Sequence, residues 1–186
     1  RVRAMKGTFS GGTAASLGET MKRLKAEPEI LSVLIDPFSL CPGFTGPEQP
    51  AGDKPVYEDD LSSWSAPFIM AAINTKNIHR SSFLSGHAYG EDFVYDEMML
   101  TGDGDQGKML AEHVANDRSL SEKPLMPGEG PTKEERETGF YELMFTGLDA
   151  NGERRTVSVK GDKDPGYGST SKMIAEAALA LLRDVD

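Results

Sequence analysis

The stretch GFYELMFTGLDANGERRTVSVKGD, residues 139–162, constrains the fold of this chain more than any other. Tyr141, Leu143 and Phe145 alternate along one segment and Val157 and Val159 along the next, the two-residue period of half-buried strands. Asn151 and Gly152 between them are suited to the positive torsions of a tight turn. An antiparallel hairpin is therefore predicted, and the rest of the chain has to pack around it.

Upstream, RVRAMKGTF (residues 1–9) reads as a short strand, with Val2, Ala4 and Phe9 as its apolar positions. In the segment that follows, Ala14, Leu17, Met21 and Leu24 recur at helical spacing until Pro28. Residues 36–63 are rich in proline, glycine and aspartate, which sustain neither a helix nor a central strand, so a long ordered surface excursion is expected. Its aromatic residues Phe38 and Phe44 are candidates for an exposed partner surface. Pro67 suits the first turn of a helix that begins in the apolar run 66–73 and is buried at its start. EDFVYDEMML reads as a strand, QGKMLAEHVAND as a helix, and residues 119–131 as irregular. Thr132 and Glu135 have the spacing of a capping box. Met173, Ile174, Ala177, Ala178, Leu181 and Leu182 form the apolar stripe of a last helix, expected to pack on the sheet. These elements make an α+β fold, with a mostly antiparallel or mixed sheet and helices on one face, in a single domain spanning residues 1–186.

Composition narrows the partners. The formal charge is −10, and no run of basic residues interleaved with aromatics occurs, so neither nucleic acid nor an anionic membrane is expected to bind. The single cysteine, Cys41, excludes an internal disulfide and fits a reducing, cytoplasmic setting. No apolar stretch approaches the roughly 20 residues that span a bilayer. The chain opens at Arg1 inside a predicted strand, as a piece of a longer protein would.

Two glycine loops carry the sharpest functional claim. GTFSGGTAAS and GDKDPGYGSTSK each lead into a helix and place hydroxyls there: Ser10 and Thr13 beside Gly11 and Gly12, and Ser169, Thr170 and Ser171 after Asp164 and Gly166. Helix N-termini offer unpaired amides to an anion, although the same hydroxyls serve equally as ordinary caps. Neither loop satisfies G-x-x-x-x-G-K-[ST] or G-x-G-x-x-G, so neither is a self-contained nucleotide site. Paired aspartates in TGDGDQG and GDKDPG lack the remaining positions of a calcium loop, and His79, His87 and His113 have no ligand spacing, so no metal is expected. Asn74, Lys76 and Arg80 form a polar series directly after an apolar run. They either line a cleft, with Arg80 one turn past Lys76, or mark where the helix emerges into solvent.

WSAPFIMAAINTKNIHRSSFL, the segment from GEGPTKEERE to the last helix, and the opening KGTFSGGTAASLGE together resemble saccharopine dehydrogenase-like oxidoreductases, especially the branch of trans-acting enoyl reductases. The resemblance implies that this chain is the substrate-binding and oligomerisation domain of a two-domain protein, whose amino-terminal Rossmann domain binds NAD or NADP. It implies a small-molecule substrate, contact with that Rossmann domain, a homodimer, and hydride transfer only in the complete protein. Ser10 to Thr13, Ile73 to Thr75 and Asp164 to Thr170 match recurrent motifs of the family. Ser10, Gly11, Gly12, Thr13, Asp164 and Gly166 of these motifs, with Asn74, Lys76 and Arg80 of the polar series, are expected at the substrate, and on general acid grounds Tyr167 or Lys172 is the expected proton donor. A second reading keeps the fold without the chemistry, as an interaction module or a carrier of an acyl or lipid ligand.

Overall fold

The computed structural model describes residues 1–119, 126 and 128–184. In chain order the elements are β1 (Val2–Lys6), α1 (Gly11–Ala26), α2 (Ile30–Ile35), β2 (Val56–Glu58), β3 (Ser63–Pro67), α3 (Ala71–Leu84), β4 (Met98–Gly102), α4 (Gly104–Ala115), α5 (Lys133–Thr138), β5 (Phe140–Leu148), β6 (Arg154–Gly161) and α6 (Tyr167–Arg183). The fold is α+β, as expected. Its residues group into two compact units, Arg1–Leu17 with Arg118–Asp186, and Gly18–Asp117. Of the irregular stretch anticipated at 119–131, residues 120–125 and 127 lie outside the described residues.

The first unit is built on the predicted hairpin. β5 pairs antiparallel with β6, placing Tyr141 opposite Gly161, Leu143 opposite Val159 and Phe145 opposite Val157, the register that the alternation required. β1 adds antiparallel to the other edge of β5, with Met5 opposite Tyr141. At the turn, positive φ falls on Gly152 (+79°) and not on Asn151. The Asp149 carboxylate accepts the amides of Asn151 and Glu153 at 2.9 and 2.8 Å, so an Asx-type bond does what a second positive torsion would have done. The capping box also forms: Thr132 Oγ1 accepts the Glu135 amide at 3.2 Å, and Glu135 accepts the Thr132 amide at 2.7 Å. Those bonds hold the Glu135 carboxyl below its usual pKa.

The last helix departs from expectation. Met173, Ile174, Leu181 and Leu182 are all exposed, Leu182 at 82%, so the apolar stripe of α6 faces away from the core of its unit. What buries the start of α6 is its polar end, where Ser169 and the preceding Asp164 are almost fully enclosed.

In the second unit, β3 pairs antiparallel with β2 and with β4. Pro67 ends β3 opposite Met98 and does not open a helix. A proline is tolerated at a strand end, and α3 starts only after a turn in which the Ala71 amide donates to Phe68 O at 2.9 Å. The start of α3 is not buried either, since Ile69 and Ile73 are more than half exposed and the buried positions are His79 and Ser82. The core of this unit contains Phe38, Cys41, Ala66, Met98 and Ala111. Phe38, expected on a partner surface, is buried against Phe44 (ring centroids 5.5 Å apart) and His79 (4.6 Å), and Phe44 in turn meets His87 at 4.4 Å. The proline-rich excursion therefore folds its aromatics inward.

Candidate functional site

The two glycine loops lie side by side in the first unit. Ser10 caps α1: its hydroxyl accepts the Thr13 amide at 3.1 Å and lies 3.1 Å from the Thr13 hydroxyl. The Gly11 amide donates to Glu129 O at 2.8 Å, and a Cβ on Gly11 would collide with the Met126 carbonyl, so residue 11 has to be glycine. Gly12 has only ordinary contacts. The second loop closes beside the first, with Pro165 packed over Gly7 and the Thr8 carbonyl 3.8 Å from where a Gly166 side chain would begin. Tyr167 then lays its ring against Gly130, whose other neighbour is Ser10. The half-exposed Tyr167 ring and the Cα and Cβ of Ser10 thus flank one glycine.

Asp164 organises this corner. It is fully buried, and its two carboxylate oxygens accept the amides of Tyr167 at 2.9 Å and Gly168 at 2.6 Å. Its own amide donates to Arg136 O at 3.1 Å, tying the loop to α5. A carboxylate of the chain itself occupies the place where the start of α6 would receive an external anion. At α1 the Gly11 and Thr13 amides are likewise taken by Glu129 and Ser10. These residues do not fit the pyrophosphate of a dinucleotide. Lys172 lies one turn into α6, and its ammonium pairs with Asp162 at 2.7 Å, which holds the Asp162 carboxyl below its usual pKa.

Asn74, Lys76 and Arg80 belong to the second unit. All three reach back to neighbouring segments: Asn74 donates to Glu97 at 2.9 Å, Lys76 to Asp36 O at 2.7 Å, and Arg80 to Leu40 O at 2.9 Å. Arg80 also stands over the Phe83 ring, 5.6 Å from its centroid. Lys76 and Arg80 therefore clasp residues 36–40 onto α3. Lys76 additionally lines a cavity of about 730 Å³, where burial lowers its pKa.

Sequence reading missed this cavity because its walls come from segments far apart in the chain. Ala71, Ala72, Thr75 and Lys76 of α3 form one side, and Leu34, Ile35, Pro37 and Phe38 another. Residues 46–53 and 95–97 complete it. Gln49 pins the proline-rich wall, donating to Phe93 O at 3.2 Å and accepting the Tyr95 amide at 2.9 Å. Gly46 packs so close to the Phe38 ring that no side chain fits there. The available signal was the apolar punctuation of an otherwise proline-rich stretch. Among the described residues, no group of His, Cys, Asp and Glu could hold a metal, and no helix is long and apolar enough to cross a membrane.

No family model matches the chain, and no solved structure matches it. Curated sequences do. A putative trans-acting enoyl reductase of Mycobacterium tuberculosis is 33% identical over 215 aligned positions, which cover 100% of this chain and 50% of that protein. Trans-acting enoyl reductases of Mycobacterium ulcerans and Mycobacterium bovis are 27% and 29% identical over 203 positions, covering 95% of the chain and 48% of each relative. The chain spans about half the length of these relatives. It is similar, from end to end, to one half of proteins named trans-acting enoyl reductases.

Proposed function

We propose that this chain is the substrate side of an NAD(P)-dependent, saccharopine dehydrogenase-like enoyl reductase. The likeness to proteins named enoyl reductases over half their length supports the reaction class. The observation that carries the reading within the fold is the convergence of the two glycine loops, with Ser10 and Tyr167 flanking Gly130. NAD or NADP, when bound on a domain outside these residues, supplies the hydride in this reading.

The chain's own residues then have three tasks. Ser10 and Thr13 present hydroxyls to the acyl group and orient it. Asp164 and Gly166 shape the loop, because the buried carboxylate fixes the first turn of α6 and with it the Tyr167 backbone. Tyr167 delivers a proton from its phenol to the reduced substrate, and Lys172, held by Asp162, is the alternative donor from the same helix. A homodimer belongs to the same proposal, and the uncovered stripe of α6 is compatible with it.

The test is enoyl reduction by the full-length protein carrying Tyr167→Phe and Lys172→Ala together. A fall of about 100-fold or more is expected for loss of a general acid. An unchanged rate removes both residues from the chemistry. Tight dinucleotide binding by residues 1–186 alone, measured by calorimetry, would overturn the division of labour.

A further inference from the structure

We infer that the cavity of the second unit is a binding site for the acyl chain of an uncharged acyl thioester or ester, with Lys76 as donor to its carbonyl oxygen. The cavity is a second acyl site, distinct from the corner at Ser10 and Thr13, and the choice of an acyl ligand rests on the enoyl reductase reading.

The volume, about 730 Å³, falls within the roughly 300–1,000 Å³ of pockets that enclose small ligands. Leu34, Ile35, Phe38, Phe68, Ala71 and Ala72 give it an apolar wall, suited to an alkyl chain. The walls are held in place by bonds that the lining residues make to one another and to their neighbours. Gln49 anchors residues 46–53, and Glu97 accepts from both Asn74 and the Tyr95 hydroxyl, at 2.9 Å each. A cavity tied in this way does not have to be ordered by its ligand, which reduces the cost of binding.

Charge selects the head group. Lys76 uses one N–H on Asp36 O, and its other two have no protein acceptor among the described residues. The ammonium is open to solvent at this bond, and its remaining donors are free to turn to an acceptor oxygen of a ligand in the cavity. Four carboxylates, Glu48, Asp53, Asp96 and Glu97, also line the cavity against this single ammonium. A second anion is repelled there, so a free fatty acid is disfavoured and a neutral carbonyl is preferred.

The probe is S-octanoyl-N-acetylcysteamine, titrated into the 186-residue chain by calorimetry without any dinucleotide. Saturable binding is expected, at least about ten-fold tighter than octanoate at pH 8. Ala72→Trp, which fills the cavity from an exposed helix position, is expected to abolish it. Lys76→Met is expected to weaken the thioester about ten-fold, and Lys76→Arg to retain binding, which separates loss of the donor from loosening of residues 36–40. Absence of saturable binding, indifference to Ala72→Trp, or octanoate binding as tightly as the thioester would each overturn the proposal. Because no turnover is read, binding without enoyl reduction by the full-length protein would refute the reaction and leave the site. Reduction without binding would do the reverse.

Discussion

The Asp164 carboxylate meets the Gly168 amide at 2.6 Å in a fully buried setting, with the Tyr167 amide at 2.9 Å on its other oxygen. This side chain starts α6 from three residues before the helix. Replacing Asp164 by Ala leaves two part-buried amides without their acceptor, a loss of about 2–3 kcal/mol for bonds to a charged group. Urea unfolding is expected to show that loss, with Asp164→Asn intermediate because its amide keeps one acceptor oxygen.

Gly139 sits under the same residue. A Cβ at 139 would lie 2.6 Å from the Asp164 amide nitrogen and from its Cβ, and backbone there has no room to retreat. Gly139→Ala is expected to cost about 3 kcal/mol by overpacking, although the backbone torsions of Gly139 suit any residue. A thermal melt that matches the unsubstituted protein would show that the loop yields.

His79 couples stability to pH. Its ring is buried against Phe38 and Phe93, its Nε2 has no hydrogen-bond partner among the described residues, and burial lowers its pKa below the usual 6.5. The unfolded chain then binds more protons below about pH 6.5. Stability is full above that value and declines as pH falls from 6.5 through the lower folded pKa. The urea midpoint is expected to drop between pH 7.5 and pH 5.5, and His79→Phe to flatten that drop; an equal slope in both proteins would assign it to other groups.

The stripe on α6 makes the opposite kind of prediction. Ile174 and Leu182 are 68% and 82% exposed, so Ile174→Glu and Leu182→Glu are expected to change the unfolding free energy by no more than about 0.5 kcal/mol each. Binding of a hydrophobic dye to the native chain is expected to fall in the double variant. A large loss of stability would show that the stripe is covered.

Local rules were legible along the chain. The capping box at Thr132 and Glu135, the register of β5 with β6, and the helical spacing that ends at Pro28 depend on neighbours a few residues apart, and each formed as the sequence indicated. Two glycine loops were visible as loops, but their adjacency was not, because nothing in Gly7 or Gly166 announces the other.

Tertiary packing decided the rest. Pro67 suits a strand end as well as a helix start, and only pairing with Met98 chose between them. Phe38 carries no mark of burial in a proline-rich segment, and the aromatic cluster around His79 is what drew it inward. The bonds from two backbone amides to Asp164 were not legible in its loop, because they form only when the chain turns into α6. The cavity beside Lys76 required four segments to meet. Sequence determines what each residue is able to bond with over a short reach; which of those bonds is made depends on which distant groups the folded chain brings within about 3 Å, where hydrogen bonds form.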